Sequence, residues 1–123
     1  MTPLGILLRG AGHEPAHYAL VLATAAAAIG RPVTVLATNA GLALLRRDTP
    51  LLADPREALL AGRGVAGIGT LLEAANELGL RLIACEAGMR AEGIAPGDLA
   101  EGVEVAGVVT FLESVGSGGL LSL

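Results

Sequence analysis

The sequence predicts an α/β domain, a three-layer α/β/α sandwich built on a mainly parallel five-stranded sheet. Three observations carry that expectation. Short, mostly apolar runs at 4–8, 33–37 and 80–84, interrupted only by Thr34 and Arg81, read as buried strands. The segments between them have helical composition and stop at glycines such as Gly30 and Gly79. Strands that alternate with helices pair in parallel, because each helix serves as the crossover.

The elements follow in order. After the strand at 4–8, Pro15 suits the first turn of a helix over 14–29 that Gly30 ends. Its alanines (Ala23 and Ala25 to Ala28) allow close packing on a sheet. Pro32 leads into the β-branched strand 33–37. Asn39 and Gly41 then turn the chain into a short helix ending near Arg46 and Arg47. From Asp48 to Gly67 the pattern loosens around Pro50, Pro55, Gly62 and Gly64, with a weak helical patch at 56–61. So long a connection predicts a lid or a subunit contact. Thr70-Leu71-Leu72-Glu73 is a capping-box signature for a helix ending at Gly79. The strand that closes at Cys85 follows, then a short helix over 86–93. Asp98 caps a brief turn, and 102–105 reads as a strand. Residues 107–115 hold β-rich Val108-Val109-Thr110, but a parallel crossover is needed there and a helix is predicted. The strand 120–123 completes a single domain, 1–123.

Composition narrows the function. Apolar residues make up 53% and charged residues 16%, too few charges to dress the whole surface of a small monomer. Part of the outside is therefore expected to be covered by other copies of the chain. Aromatic side chains are limited to Tyr18 and Phe111, so the core is Leu, Val, Ile and Ala. The net charge is −4 and all eight basic residues are arginine, without a visible basic patch. With no aromatics to stack bases, nucleic acid is not an expected partner. No stretch approaches the roughly 18 uncharged apolar residues of a membrane helix; the longest, 18–30, stops at Arg31. Arg9 follows the first apolar run instead of preceding it, unlike a signal peptide. One cysteine cannot form an internal disulfide, which suits a cytoplasmic location.

Two motifs are weighed and set aside. His13-Glu14-Pro15-Ala16-His17 fits the pattern of zinc proteases, which needs both histidines one turn apart on a continuous helix. Pro15 prefers the first helical turn, which places His13 in the preceding loop, and no third histidine exists. Gly62-x-Gly64-x-x-Gly67 matches a dinucleotide fingerprint but follows a helical patch instead of a strand. Gly10-Ala11-Gly12 does follow a strand, yet Pro15 replaces the third glycine. No metal and no cofactor are expected.

Cys85 carries the chemistry. It stands at the carboxyl end of a strand, where the chain turns into a helix and where open α/β sheets place their ligands. Helix amides there favour a thiolate, the nucleophilic form of sulfur. The expected site gathers Gly10, Gly12, His13 and Asn39 from neighbouring rims, with His13 as proton partner. Glu86 adjoins the thiol, and its charge opposes a thiolate unless it bonds elsewhere. Met89, one turn on, is expected to pack beneath the sulfur as a polarisable wall. The bland alternative is a buried, inert thiol.

The segment from Gly79 to Ile94 resembles the DsrE-like (DsrE/DsrF) sulfur-relay family: an apolar strand ending in Ala84-Cys85, then Met89, then Gly93-Ile94. The segment 102–113 looks like that family's C-terminal section, and Gly88 stands where relatives often carry serine. The resemblance implies a three-layer α/β/α domain with a mainly parallel five-stranded sheet, assembled as a homo-oligomer, a trimer or hexamer. It further implies that Cys85 accepts sulfane sulfur as a persulfide and passes it between a donor and an acceptor protein. Two rivals remain open: a non-catalytic oligomeric module binding a small ligand or partner, and a thiol peroxidase oxidised at Cys85.

Overall fold

The computed structural model describes all residues, Met1–Leu123. Five strands form one sheet: β1 (Leu4–Leu8), β2 (Val33–Ala37), β3 (Arg81–Cys85), β4 (Glu104–Ala106) and β5 (Gly119–Ser122). Their order is β4-β3-β2-β1-β5, and all four pairings are parallel. The helices are α1 (His13–Ala28), α2 (Pro55–Gly62), α3 (Ile68–Glu77), α4 (Glu86–Glu92) and α5 (Val108–Val115), with 3-10 turns at Asn39–Leu45, Pro50–Ala53 and Pro96–Asp98.

Topology decides which face each helix covers. From β1 to β4 the strands march one way across the sheet, and β5 returns to the far side of β1. Parallel crossovers share one hand, so connections running in one direction lie on one face and the returning one lies on the other. Period-two alternation shows the result. Leu4, Ile6, Leu8, Val33, Val35, Ala37, Leu82 and Ala84 join the larger core with Ala16, Ala19, Leu20, Ala23, Ile68 and Met89 from α1, α3 and α4. Leu36 and Ile83 point the other way and pack with Phe111 and Val115 of α5. The helix expected over 107–115 is present, and the crossover requirement overrides its β propensity.

Three details differ from the sequence reading. His13 opens α1 and is buried, because Pro15 as the third residue still lies in the first turn and leaves room for His13 inside the helix. The loosened segment after Asp48 is ordered as two short helical pieces, of which α2 is capped by Asp54 accepting from the Arg56 amide at 2.8 Å. The capping box at Thr70 is not used. α3 starts at Ile68, and Glu57 of α2 caps it from a distance by accepting from the Ile68 and Gly69 amides at 3.0 and 3.3 Å. At the β4 edge, Arg81 donates to both carboxylate oxygens of Glu104 at 2.8 and 2.9 Å, tying the three-residue strand to β3.

α5 approaches β1 closely because Gly5 has no side chain. A Cβ there would fall 2.9 Å from the Phe111 ring and closer still to Val115. Gly5→Ala should therefore lever α5 off the sheet and lower stability by about 1–3 kcal/mol, the usual cost of overpacking. Denaturant midpoints of the two proteins measure it; an unchanged midpoint would mean α5 yields freely.

Candidate functional site

Cys85 is the last residue of β3 and the N-cap of α4, half-buried, with its side chain on the α5 face beside Ile83. It pairs in register with Ala106 at the end of β4. From these adjacent strands the chain leaves in opposite directions. α4 turns its Met89 into the larger core, whereas α5 passes over the other face. The divergence opens a crevice at the carboxyl ends of β3 and β4, the switch point where open α/β sheets bind ligands. A cavity of about 360 Å³ lies there, lined by Cys85, Glu86, Ala87, Arg90, Gly107, Val108 and Val109.

The charge beside the sulfur is balanced. Arg90 donates through Nη2 to Glu86 Oε1, one helical turn apart, so the carboxylate does not stand alone next to the thiol. Sequence reasoning missed Ala87, Gly107, Val108 and Val109 as lining residues and, alone among them in carrying charge, Arg90. Its signal was the Glu86-x-x-x-Arg90 spacing, which puts both side chains on one face of α4.

Of the residues expected around the thiol, Glu86 lines its cavity. Gly10, Gly12 and His13 do not. They follow β1, two strands away, and α1 lies on the opposite face from Cys85. Met89 turns into the larger core instead of beneath the sulfur, and helps line a neighbouring cavity with Glu86 and Arg90. Asn39 lines a separate shallow pocket with Ala40, Arg46 and Glu92. Gly88 is explained by packing. A Cβ there would collide with the Thr38 hydroxyl and come within 2.9 Å of the Asn39 amide, so Thr38 already fills the place a serine side chain would take.

A second polar cluster occupies the β1 end of the rim. His13 Nε2 donates to Glu57 Oε2 at 2.7 Å, and His17, stacked on His13 with ring centres 5.5 Å apart, donates to the Ala66 carbonyl at 2.8 Å. The two histidines thus do share a continuous helix, but no group of three histidine, cysteine or carboxylate side chains converges to hold a metal. No helix is long and apolar enough to cross a membrane.

A family model described as DsrE/DsrF/DrsH-like matches residues 56–120, more than half of the chain and all of the Cys85 crevice. The chain belongs to the DsrE/DsrF/DrsH-like family. Solved structures agree on the fold over the full length of both chains. The ychN protein from E. coli superposes with a TM-score of 0.76 at 20% identity. MTH1491 from Methanobacterium thermoautotrophicum, a protein of unknown function, superposes at 0.60 and 21% identity. No curated protein matches this family member in sequence.

The Glu86–Arg90 pair generates a prediction. Both side chains are exposed, so their influence on the crevice is modest and screened by salt. Arg90→Gln should slow alkylation of Cys85 by anionic iodoacetate about two- to threefold relative to neutral iodoacetamide at low salt. The ratio should return toward the native value at high salt. An unchanged ratio would show that Arg90 does not shape the field at the thiol.

Proposed function

We propose that this protein is a cytoplasmic sulfur-relay component that carries sulfane sulfur as a persulfide on Cys85. The reading rests on one observation, the thiol lining the switch-point cavity of a DsrE/DsrF/DrsH-like domain. The Cys85 thiolate attacks the outer sulfur of a donor persulfide, forming a new S–S bond at Sγ and breaking the donor's own. The donor departs as a thiolate, so one sulfur atom moves with no net oxidation. Attack by an acceptor thiolate on the outer sulfur of the Cys85 persulfide forms the acceptor's persulfide, breaks the bond to Sγ and releases the Cys85 thiolate. The backbone amides at the start of α4, which no side chain caps, and the half-buried position favour an anion that is reachable without being fully solvated. The apolar walls Val108 and Val109 limit water around the outer sulfur. Donor and acceptor are other thiol-bearing proteins or small persulfides.

Intact-mass spectrometry after incubation with a sulfane donor tests this directly. The native chain should gain the mass of one sulfur atom, removable by dithiothreitol, and Cys85→Ser should gain none. Failure of the native chain to take up sulfur would favour the binding-module reading. A dimedone adduct formed with peroxide faster than on a free thiol would favour the peroxidase.

The same reading includes a homo-oligomer, a trimer or hexamer. Its support is apolar surface left without cover. Val108, Val109 and Leu112 on the outer side of α5 are all more than half exposed, and Val108 and Val109 also line the cavity. Light scattering at micromolar concentration should return three or six copies, and Val109→Glu should shift the population to smaller species. A native monomer would refute the assembly.

A further inference from the structure

The segment between Leu51 and Ile68 is built unlike the rest of the molecule. Leu51 and Ile68 are buried, and from Leu52 to Gly67 no side chain is. α2, in the middle of this segment, contributes nothing to either core. Its side-chain attachments to the body are polar, and they converge on the first turns of α1 and α3. Glu57 accepts from His13 Nε2 and from the Ile68 and Gly69 amides. Arg56 pairs with Glu14 at 3.2 Å, and the Ala66 carbonyl accepts from His17.

Glu57 dominates this set. It is the one group that touches both helices, and its carboxylate satisfies two orphan amides of α3 and a buried histidine at once. Gly67 makes the approach possible, since a Cβ there would lie 2.8 Å from both carboxylate oxygens. The Arg56–Glu14 pair is solvent-exposed and contributes little. His13 is 3% exposed, and its other nitrogen, Nδ1, is buried with no partner. The closed arrangement thus holds two unsatisfied polar atoms, His13 Nδ1 and Arg56 Nε, that opening would hydrate.

We propose that residues 52–67 form a strap that opens as a unit about Leu51 and Ile68, with Glu57 as its clasp, uncovering His13 and the first turn of α1 on the carboxyl rim of the sheet. The low-stability end of a protein is where few apolar contacts and many exposed polar ones coincide, and this segment meets both conditions. Opening gives up hydrogen bonds to water and no fully buried side chain, so the two cores, to which no residue of 52–67 belongs, remain intact.

The charge dependence follows from the groups that face Glu57. These are His13 and, behind it, His17 from α1, the two amides of α3, and Arg56 on its own helix, itself paired with Glu14. Burial raises the Glu57 carboxyl, but hydrogen bonds from His13, Ile68 and Gly69 outweigh it and hold it below its ordinary 4.5. A carboxyl depressed in the closed state stabilises closure above the ordinary carboxylate range. That contribution is lost as the pH falls through the depressed value.

Hydrogen exchange with site resolution tests the strap. In the native protein, amides of 57–65 should share one protection factor, well below those of β1 to β3. Glu57→Gln should reduce it about tenfold, the scale of one charge-assisted hydrogen bond, and accelerate diethylpyrocarbonate modification of His13 by a similar factor. The strands should keep their protection. Gly67→Ala, which displaces the carboxylate without altering charge, should act in the same direction. In the native chain, strap protection relative to intrinsic rates should drop as the pH falls below the ordinary carboxylate range, through the depressed value of Glu57, while strand protection holds. Loss of strand protection together with the strap, or no change in any of these three comparisons, would overturn the proposal.

Discussion

The two faces of the sheet are covered by unequal amounts of helix, and much of the structure follows from that imbalance. α1, α3, α4 and the 3-10 turn at Asn39–Leu45 share the larger core, whereas α5 alone packs on the other side. A single eight-residue helix cannot shield a five-stranded sheet. It does so over the centre by carrying the chain's only phenylalanine, Phe111, which is fully buried against Leu36 and Ile83. The alanines of α1 do the opposite work, bringing a long helix close to the sheet with little side-chain bulk. The scarcity of aromatics is thus not uniform: the one large ring is placed where one helix must fill the most space.

The same imbalance places the thiol. Successive residues of β3 alternate between the two cores, so Ala84 enters the thick side and Cys85 the thin side. On the thick side a residue at the end of β3 would be covered by the Asn39–Leu45 turn and α4. On the thin side it meets only the start of α5, and the gap between α4 and α5 remains open as a cavity. Accessibility of the sulfur is a consequence of strand parity and of the return of β5 to the far edge, before any side chain in the crevice is considered.

The parallel sheet, its five strands and the helix at 107–115 were legible in the sequence, because apolar runs and crossover length are local properties. Cys85 at a strand end was legible for the same reason. The composition of the site was not. Grouping His13 with Cys85 assumed that two strand ends on one rim are neighbours, but β2 stands between β1 and β3, and α1 lies on the other face. Strand order and facing are set by long-range packing, which no local pattern of Gly10, Gly12 or Asn39 encodes. Met89 was misread for a related reason: one turn along α4 from Cys85 rotates the side chain toward the larger core. The distal cap of α3 was hidden too, since Thr70 and Glu73 satisfy the local pattern while Glu57, eleven residues before Ile68, supplies the bond.

Charge is used sparingly and with different purposes at the two ends of the rim. At the β3 end, Glu86 and Arg90 cancel each other in solvent, which leaves the crevice apolar in its walls and nearly neutral at its mouth. Such a mouth carries little electrostatic preference of its own, and its walls offer shape and apolar contact from α5. At the β1 end, Glu57 is the reverse case, a carboxylate drawn inward onto helix amides and a buried histidine. There the charge takes the place that apolar packing holds elsewhere, because the chain from Leu52 to Gly67 has no buried side chain to offer. Glu57 and the α3 amides, like the crevice, lie within residues 56–120 that match the family model, whereas His13 lies outside them. One keeps a thiol accessible, and the other secures a segment through polar contacts while the hydrophobic cores remain separate from it.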